Sequence, residues 1–236
     1  MIKTTSIIIG LLIVMTFGCQ TQKKITSKNM TERPLQYLAL GDSYTIGEGV
    51  QESERYPMIL ADLLARENIQ VDTPKIIATT GWTTDELQKG IANTSGLENQ
   101  YDLVTLLIGV NNQYRGRSVE NYREEFTALL DQAIAFAGHD SHRVIVLSIP
   151  DWGITPFAQD RGTDQAKVAT EIDRYNQAKK EISQSKGVEY IDITEHYRMH
   201  GDKEDGVMDD KLHPSGKIYR HWAELLLSKL KHKGFY

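Results

Sequence analysis

The chain is 236 residues long, with 40% apolar and 25% charged side chains and a mean hydropathy of -0.42. That length and composition suit one globular domain whose core needs neither disulfides nor metal to hold it. A net charge of -5 and a pI near 5.8 supply no basic surface for a polyanion, so no nucleic-acid partner is expected.

The N-terminus stands apart from the rest. Lys3 gives a positive start, and Ile7 through Met15 is an apolar stretch too short to span a bilayer comfortably. Gly18-Cys19 follows at once, and Cys19 is the single cysteine of the chain, with no disulfide partner. The segment resembles a bacterial lipoprotein signal. That resemblance implies lipidation at Cys19 and an extracytoplasmic, membrane-anchored protein; an ordinary secretory peptide, giving a secreted or periplasmic protein, is the alternative. Residues 1–19 therefore read as signal, the polar residues 20–34 as a flexible tether, and 35–236 as the folded domain.

From there, apolar runs alternate with segments of helical period. Residues 36–40, 75–78, 103–108, 144–149 and 190–193 read as five strands, continuous in apolar character as befits strands buried on both faces of a parallel sheet. Pro57 opens a helix over 58–67, where a first-turn proline loses no hydrogen bond. Thr83-Thr84-Asp85-Glu86 offers a capping box for a helix ending near Asn93. Ser118 caps a longer one, with Tyr122, Phe126, Leu129 and Leu130 on one face and Gly138 at its end. Helices over 165–185 and 215–230 complete the pattern. The alternation predicts a three-layer α/β/α sandwich, flavodoxin-like, around a five-stranded parallel sheet.

In such sheets reactive groups collect at the carboxyl ends of the strands. Ser43 follows the first strand, Gly81 the second and Asn111 the third, while Asp210 and His213 precede the last helix. A serine hydroxyl becomes a nucleophile when an imidazole takes its proton, and the imidazole needs a carboxylate to hold its tautomer. Singly, each of these segments reads as a cap, a turn glycine or a solvated loop. Together, in this order and at these strand ends, they point to nucleophilic hydrolysis. No Gly-x-Ser-x-Gly elbow is present, which argues against the α/β-hydrolase family.

Gly41-Asp42-Ser43 with Gly47 and Gly49, then Gly81, then Gly109-Val110-Asn111-Asn112, then Asp210-Lys211-Leu212-His213, resemble the four blocks of the SGNH (GDSL-type) hydrolase family. The likeness runs from about Leu35 to Leu230, and the third block is similar to that of the bacterial thioesterase/lysophospholipase branch. The resemblance implies Ser43 as nucleophile, His213 as general base and then acid, and Asp210 as the group that orients His213. It implies an oxyanion hole made of the Ser43 and Gly81 backbone N–H groups and the Asn111 side-chain amide. Asp209 and Asp192 are the competing carboxylates, and Asp210 has the one-turn spacing to the ring.

Tyr44, Trp82, Tyr114, Trp152 and Phe157 fall on or near the same rim and are candidates for a substrate pocket or for core packing. Arg115 either contacts substrate or braces its loop. His196 and His200, four apart beside Glu195, have helical metal-ligand spacing, but no third ligand is evident and no metal or cofactor is expected. The expected activity is hydrolysis of small acyl or acetyl esters through an acyl-enzyme on Ser43. The alternatives are a carbohydrate O-deacetylase or O-acyltransferase acting on an acylated sugar with the same groups, and a non-catalytic glycan-binding lipoprotein.

Overall fold

A computed structural model describes Met1 and residues 33–98, 100–232 and 234. The chain divides into two units, Met1–Met30 and Thr31–Tyr236. The expected signal, Cys19 and most of the expected tether lie outside the described residues. All the elements below belong to the second unit.

Strands β1 (Tyr37–Gly41), β2 (Lys75–Ala78), β3 (Leu103–Leu107), β4 (Val144–Leu147) and β5 (Glu189–Ile191) form one parallel sheet in the order β2-β1-β3-β4-β5. Ala39 of β1 pairs with Ile76 on one side and Thr105 on the other, and Leu106 of β3 pairs with Val146. Every residue of β1, β3 and β4 is buried, which is why these segments are almost wholly apolar rather than alternating; the hydroxyl of Thr105 in β3 meets those of Tyr37 and Tyr56. Burying side chains such as Leu38 and Leu40 contributes roughly 1.5–3 kcal/mol each. On one face α2 (Tyr56–Arg66) packs on α9 (Gly216–His232); the right-handed crossovers put α3 (Thr84–Ala92), α5 (Val119–Phe136) and α7 (Gln165–Ser185) together on the other. The result is the three-layer α/β/α sandwich expected from the alternation.

The long helices begin where their caps say they should. Ser118 Oγ accepts the Asn121 N–H at 3.1 Å, Glu86 accepts the Thr83 N–H at 2.9 Å, and Pro57 sits in the first turn of α2. Four short helices go beyond the elements expected from the sequence: α1 (Ser43–Ile46), α4 (Val110–Tyr114), α6 (Pro156–Asp160) and α8 (Thr194–His200). Strand β4 also stops at Leu147, two residues early. Beyond it Asn176 of α7 accepts the Ile149 N–H at 2.7 Å and donates to the Ile149 carbonyl at 3.0 Å, so a helix side chain takes over from the ladder. Among the described residues no helix is long and apolar enough to cross a membrane.

Two features prepare the site. The sheet order reverses between β1 and β3, and the crevice above such a switch point is where open α/β sheets hold ligands. At the end of β1, a Cβ on Gly41 would stand 2.3 Å from the Leu107 carbonyl oxygen and 2.1 Å from Thr45 Oγ1. Only glycine lets the chain press against the end of β3 while it turns into α1.

Candidate active site

Asp42 caps α1: its Oδ1 accepts the Tyr44 N–H at 3.0 Å, and its carbonyl accepts from Thr45 and Ile46 at 3.0 Å each. Ser43 is therefore the first residue of a helix, where an N–H has no intrahelical acceptor. That N–H makes no backbone hydrogen bond among the described residues. Below this turn lies a buried pair of opposite groups. Burial pushes the Asp42 carboxyl up to about 7, against the N–H groups of Tyr44 and Gly109 and the charge of Lys179. Burial pushes the Lys179 ammonium down to about 7, with the Asp42 charge opposing. Lys179 reaches in from α7, wholly buried, to donate to the Leu147 carbonyl at 2.9 Å. Lys179 and the Tyr44 and Gly109 N–H groups offset only part of the cost of burying Asp42 at the nucleophile turn, and Asp42 Oδ2 has no hydrogen-bond partner among the described residues.

The Asp210–His213 turn comes from the segment between α8 and α9. Asp210 Oδ1 accepts the N–H groups of Leu212 and His213 at 2.9 Å each, and Oδ2 meets His213 Nδ1 at 2.5 Å. Burial raises the Asp210 pKa, but the hydrogen bonds from the His213 ring and the two backbone groups outweigh it and hold the carboxyl below its usual range. Lys211 between them adopts a left-handed φ of 63°. A non-glycine residue there costs about 1 kcal/mol, and the surrounding contacts hold it: the Lys211 carbonyl accepts the Phe157 N–H of α6 at 3.0 Å, and Tyr197 Oη donates to the Leu212 carbonyl at 2.9 Å. The competing carboxylate Asp192 is elsewhere, accepting from Ser148 Oγ at 3.2 Å and from the Thr194 N–H at 2.8 Å at the start of α8.

Ser43, Asn111 and His213 line one cavity of about 190 Å³, and Tyr44, Tyr114, Trp152 and Phe157 supply most of its remaining wall. Ser43 and His213 are 5% and 9% exposed, so they meet solvent only through that cavity. Ser43 Oγ makes no hydrogen bond among the described residues, and the ring of Tyr44 stands edge-on to His213 at 5.9 Å. Serine–imidazole contacts are commonly loose without substrate. Tyr114 is 57% exposed at the mouth, and its ring meets Trp152 edge-on at 5.2 Å.

Gly81 does not line the cavity itself. It takes a left-handed φ of 86°, and its N–H has no backbone acceptor among the described residues. Its carbonyl accepts from Arg115 Nη2 at 2.6 Å, and the next carbonyl, that of Trp82, accepts from Asn111 Nδ2 at 3.0 Å. The second and third blocks are thereby tied together, and one amide hydrogen of Asn111 is left for a ligand. Arg115 is a brace rather than a pocket residue, since its other nitrogen pairs with Glu86 at 3.0 Å. Trp82 is also corrected: its ring packs over Gly90 of α3, so it lies outside the cavity. Asn112 turns inward, accepting the Thr84 N–H at 3.1 Å and pinning the loop to α3.

His196 and His200 do share a helix face, but their rings stack at 4.3 Å, and the ring of His221 from α9 stacks on His196 at 3.5 Å. Among the described residues no group of three metal-ligating side chains is placed to share an ion. Gln113 stands out only in the structure. It accepts the Trp152 Nε1–H at 2.8 Å and donates to Glu171 at 2.7 Å. No local pattern in the sequence signals that contact.

The arrangement can therefore abstract a proton from a hydroxyl and present donors to an oxygen at one strand-end crevice. The model of the GDSL-like lipase/acylhydrolase family matches residues 39–221. No curated protein sequence matches the chain. Among solved structures it is similar to a lipase/acylhydrolase from Enterococcus faecalis, at 19% identity and TM-score 0.66 over 84% of this chain and 96% of that one. It is similar to TesA at 17% identity and TM-score 0.65, over 83% and 98%. An acetyl xylan esterase, AlAXEase, matches at 18% identity and TM-score 0.63, over 83% and 100%. At such identities the likeness is one of fold.

Proposed function

The chain belongs to the GDSL-like lipase/acylhydrolase family, and from that premise we propose that it is a serine esterase cleaving small acyl or acetyl esters through an acyl-enzyme on Ser43. His213 Nε2 takes the proton of Ser43 Oγ as the oxygen adds to the ester carbonyl. Asp210, on the opposite ring nitrogen, keeps Nε2 free as the acceptor and stabilises the imidazolium that forms. The carbonyl oxygen becomes an anion and takes hydrogen bonds from the Ser43 and Gly81 N–H groups and from Asn111, each such donor being worth ~3 kcal/mol. When the tetrahedral intermediate collapses, His213 returns the proton to the departing alkoxide. Water, activated by the same ring, then releases the acid and restores Ser43.

The observation that carries this reading is the Nδ1–Asp210 hydrogen bond on a His213 that shares a cavity with Ser43 and Asn111. The test is hydrolysis of p-nitrophenyl acetate and butyrate, with fluorophosphonate labelling of the serine. Wild-type protein should turn over and label, and Ser43→Ala should remain folded and do neither. Turnover surviving in Ser43→Ala would reject the assignment.

A second reading, O-deacetylation of an acylated sugar, is favoured by the exposed Tyr114 ring at the cavity mouth, a surface on which a sugar ring can lie. Acetate release from acetylated oligosaccharide, absent from Ser43→Ala, would select it. The lipid anchor at Cys19, the tether over 20–34 and the extracytoplasmic location belong to the same proposal. They predict fatty-acid labelling in a bacterial host that is lost in Cys19→Ser.

A further inference from the structure

The apolar cavity is bounded, and one of its walls is propped from outside. Trp152 is 7% exposed and fills the side of the cavity between Tyr114 and Phe157, meeting their rings at 5.2 and 6.4 Å. Its indole has a single donor, and that donor is committed to Gln113 Oε1 at 2.8 Å. Gln113, buried on α4, spends its amide on Glu171 of α7 at 2.7 Å. Trp152, Gln113 and Glu171 thus form a strut that runs from the cavity to the helix layer. Beyond the strut lies a cleft of about 820 Å³ between α5 and α7, and Gln113 is part of its lining. Gln113 is therefore the partition: it holds the tryptophan that lines the cavity, and it lines the cleft on the other side.

An apolar cavity of ~150 Å³ is enough to hold one benzene molecule. The 190 Å³ here accordingly fits an acyl group of up to about six carbon atoms. A longer chain directed at this wall would have to displace Trp152, breaking its hydrogen bond and leaving two buried polar groups unpaired.

We propose that Gln113 is a positioning residue that sets the acyl-chain limit of the enzyme by locking Trp152 as the end wall of the acyl cavity. The proposal rests on the esterase reading above. It adds that substrates are short acyl esters, and that the cut-off is imposed by a side chain that touches no substrate.

The test is a series of p-nitrophenyl esters from acetate through butyrate, hexanoate and octanoate to decanoate. For wild type, kcat/KM should fall at least about tenfold between hexanoate and decanoate, as expected for methylenes that a rigid pocket cannot seat. Gln113→Leu frees the indole and should raise the octanoate-to-acetate ratio by about tenfold or more. The double variant Gln113→Glu with Glu171→Gln restores an acceptor for the indole and a donor to that acceptor from α7. It should return the ratio to the wild-type value, which a merely structural role for Gln113 would not require. If Gln113→Leu fails to fold, Trp152→Phe, which shortens the wall and removes its donor, should move the ratio in the same direction. Acetate hydrolysis with an unchanged ratio in a folded Gln113→Leu, or wild-type decanoate turnover equal to that of hexanoate, overturns the proposal and leaves the esterase reading standing. No hydrolysis of any ester, with no fluorophosphonate labelling of Ser43, overturns both.

Discussion

Two groups of histidines sit within thirty residues of one another and have opposite chemistry. His213 ends a one-turn loop whose Asp210 carboxylate meets its Nδ1 at 2.5 Å. His196, on the preceding helix, meets other imidazoles instead, His221 at 3.5 Å and His200 at 4.3 Å. Burial, then the neighbouring rings and Lys217, push the His196 pKa down to about 4, and its buried Nδ1 has no hydrogen-bond partner among the described residues. His221 is also lowered, by burial first, with Glu224 opposing and His200 assisting. The residue type is the same in both places. A carboxylate behind the ring makes a base with a defined tautomer, whereas a stack of rings makes a neutral contact that resists protonation.

The comparison is broken most severely at the carboxylate. Asp210→Asn keeps an oxygen for the Leu212 and His213 N–H groups but loses the charge behind the ring. It should lower kcat/KM for p-nitrophenyl acetate about 10⁴-fold, the cost of losing the tautomer-holding carboxylate in serine hydrolase triads. A residual rate near wild type, with thermal stability unchanged, would show that His213 needs no orienting partner. Glu195→Gln, beside the stack, should leave turnover unaffected.

The next variant asks how much of the contrast lies outside the imidazole. Asn111→Ala leaves His213 and Asp210 in place and removes one oxyanion donor. It should reduce kcat by about 10²–10³-fold with little change in KM. Equal losses in ground-state binding, read as a matching rise in KM, would place Asn111 in uniform binding instead.

The stack itself is tested by stability against pH. A histidine whose folded pKa is depressed contributes stability that is fully present above its unfolded value of about 6.5 and is lost as pH falls toward 4. Because the ring is partly exposed, the screened effect is on the order of 1 kcal/mol. Urea denaturation should therefore show wild type losing stability between pH 6.5 and 4, and His196→Phe, which keeps a ring but no proton site, losing less. Identical acid-side losses would remove the stack from the account. His200→Gln, at the outer edge of the stack, should shift stability at neutral pH by no more than about 0.5 kcal/mol.

Much of the fold was legible because its signals are local. The runs at 103–107 and 144–147 are apolar but for Thr105, and the helices over Thr84–Ala92 and Val119–Phe136 have their caps in the sequence. The short helices α1, α4, α6 and α8 were not legible, since four to seven residues carry too little periodicity. Caps start α1 and α6, at Asp42 and Thr155, and tertiary contacts such as the Phe157 N–H on the Lys211 carbonyl hold them in place. The same division runs through the site. Ser43 and Asn111 announce themselves by type and by position at strand ends, and Asp210 and His213 by their spacing ahead of the last helix. Trp82 sits beside Gly81 in the chain, yet its ring turns to Gly90, while Gln113 carries no motif and reaches Trp152 across 39 positions. Lys179 carries no signal in the sequence that sets it apart from the other lysines, yet it is fully buried.

By itself the sequence determined the parallel sheet, the order of the four blocks and the chemical types that stand at the strand ends. Those follow from hydrophobic period, capping and turn chemistry, all of which act over a few residues. Tertiary structure alone decided which imidazoles stack on one another, which tryptophan lines the cavity, and which lysine goes inside. Such outcomes depend on side chains packed from separate elements at near-crystalline density, where the neighbour is set by the whole fold rather than by adjacent positions in the chain.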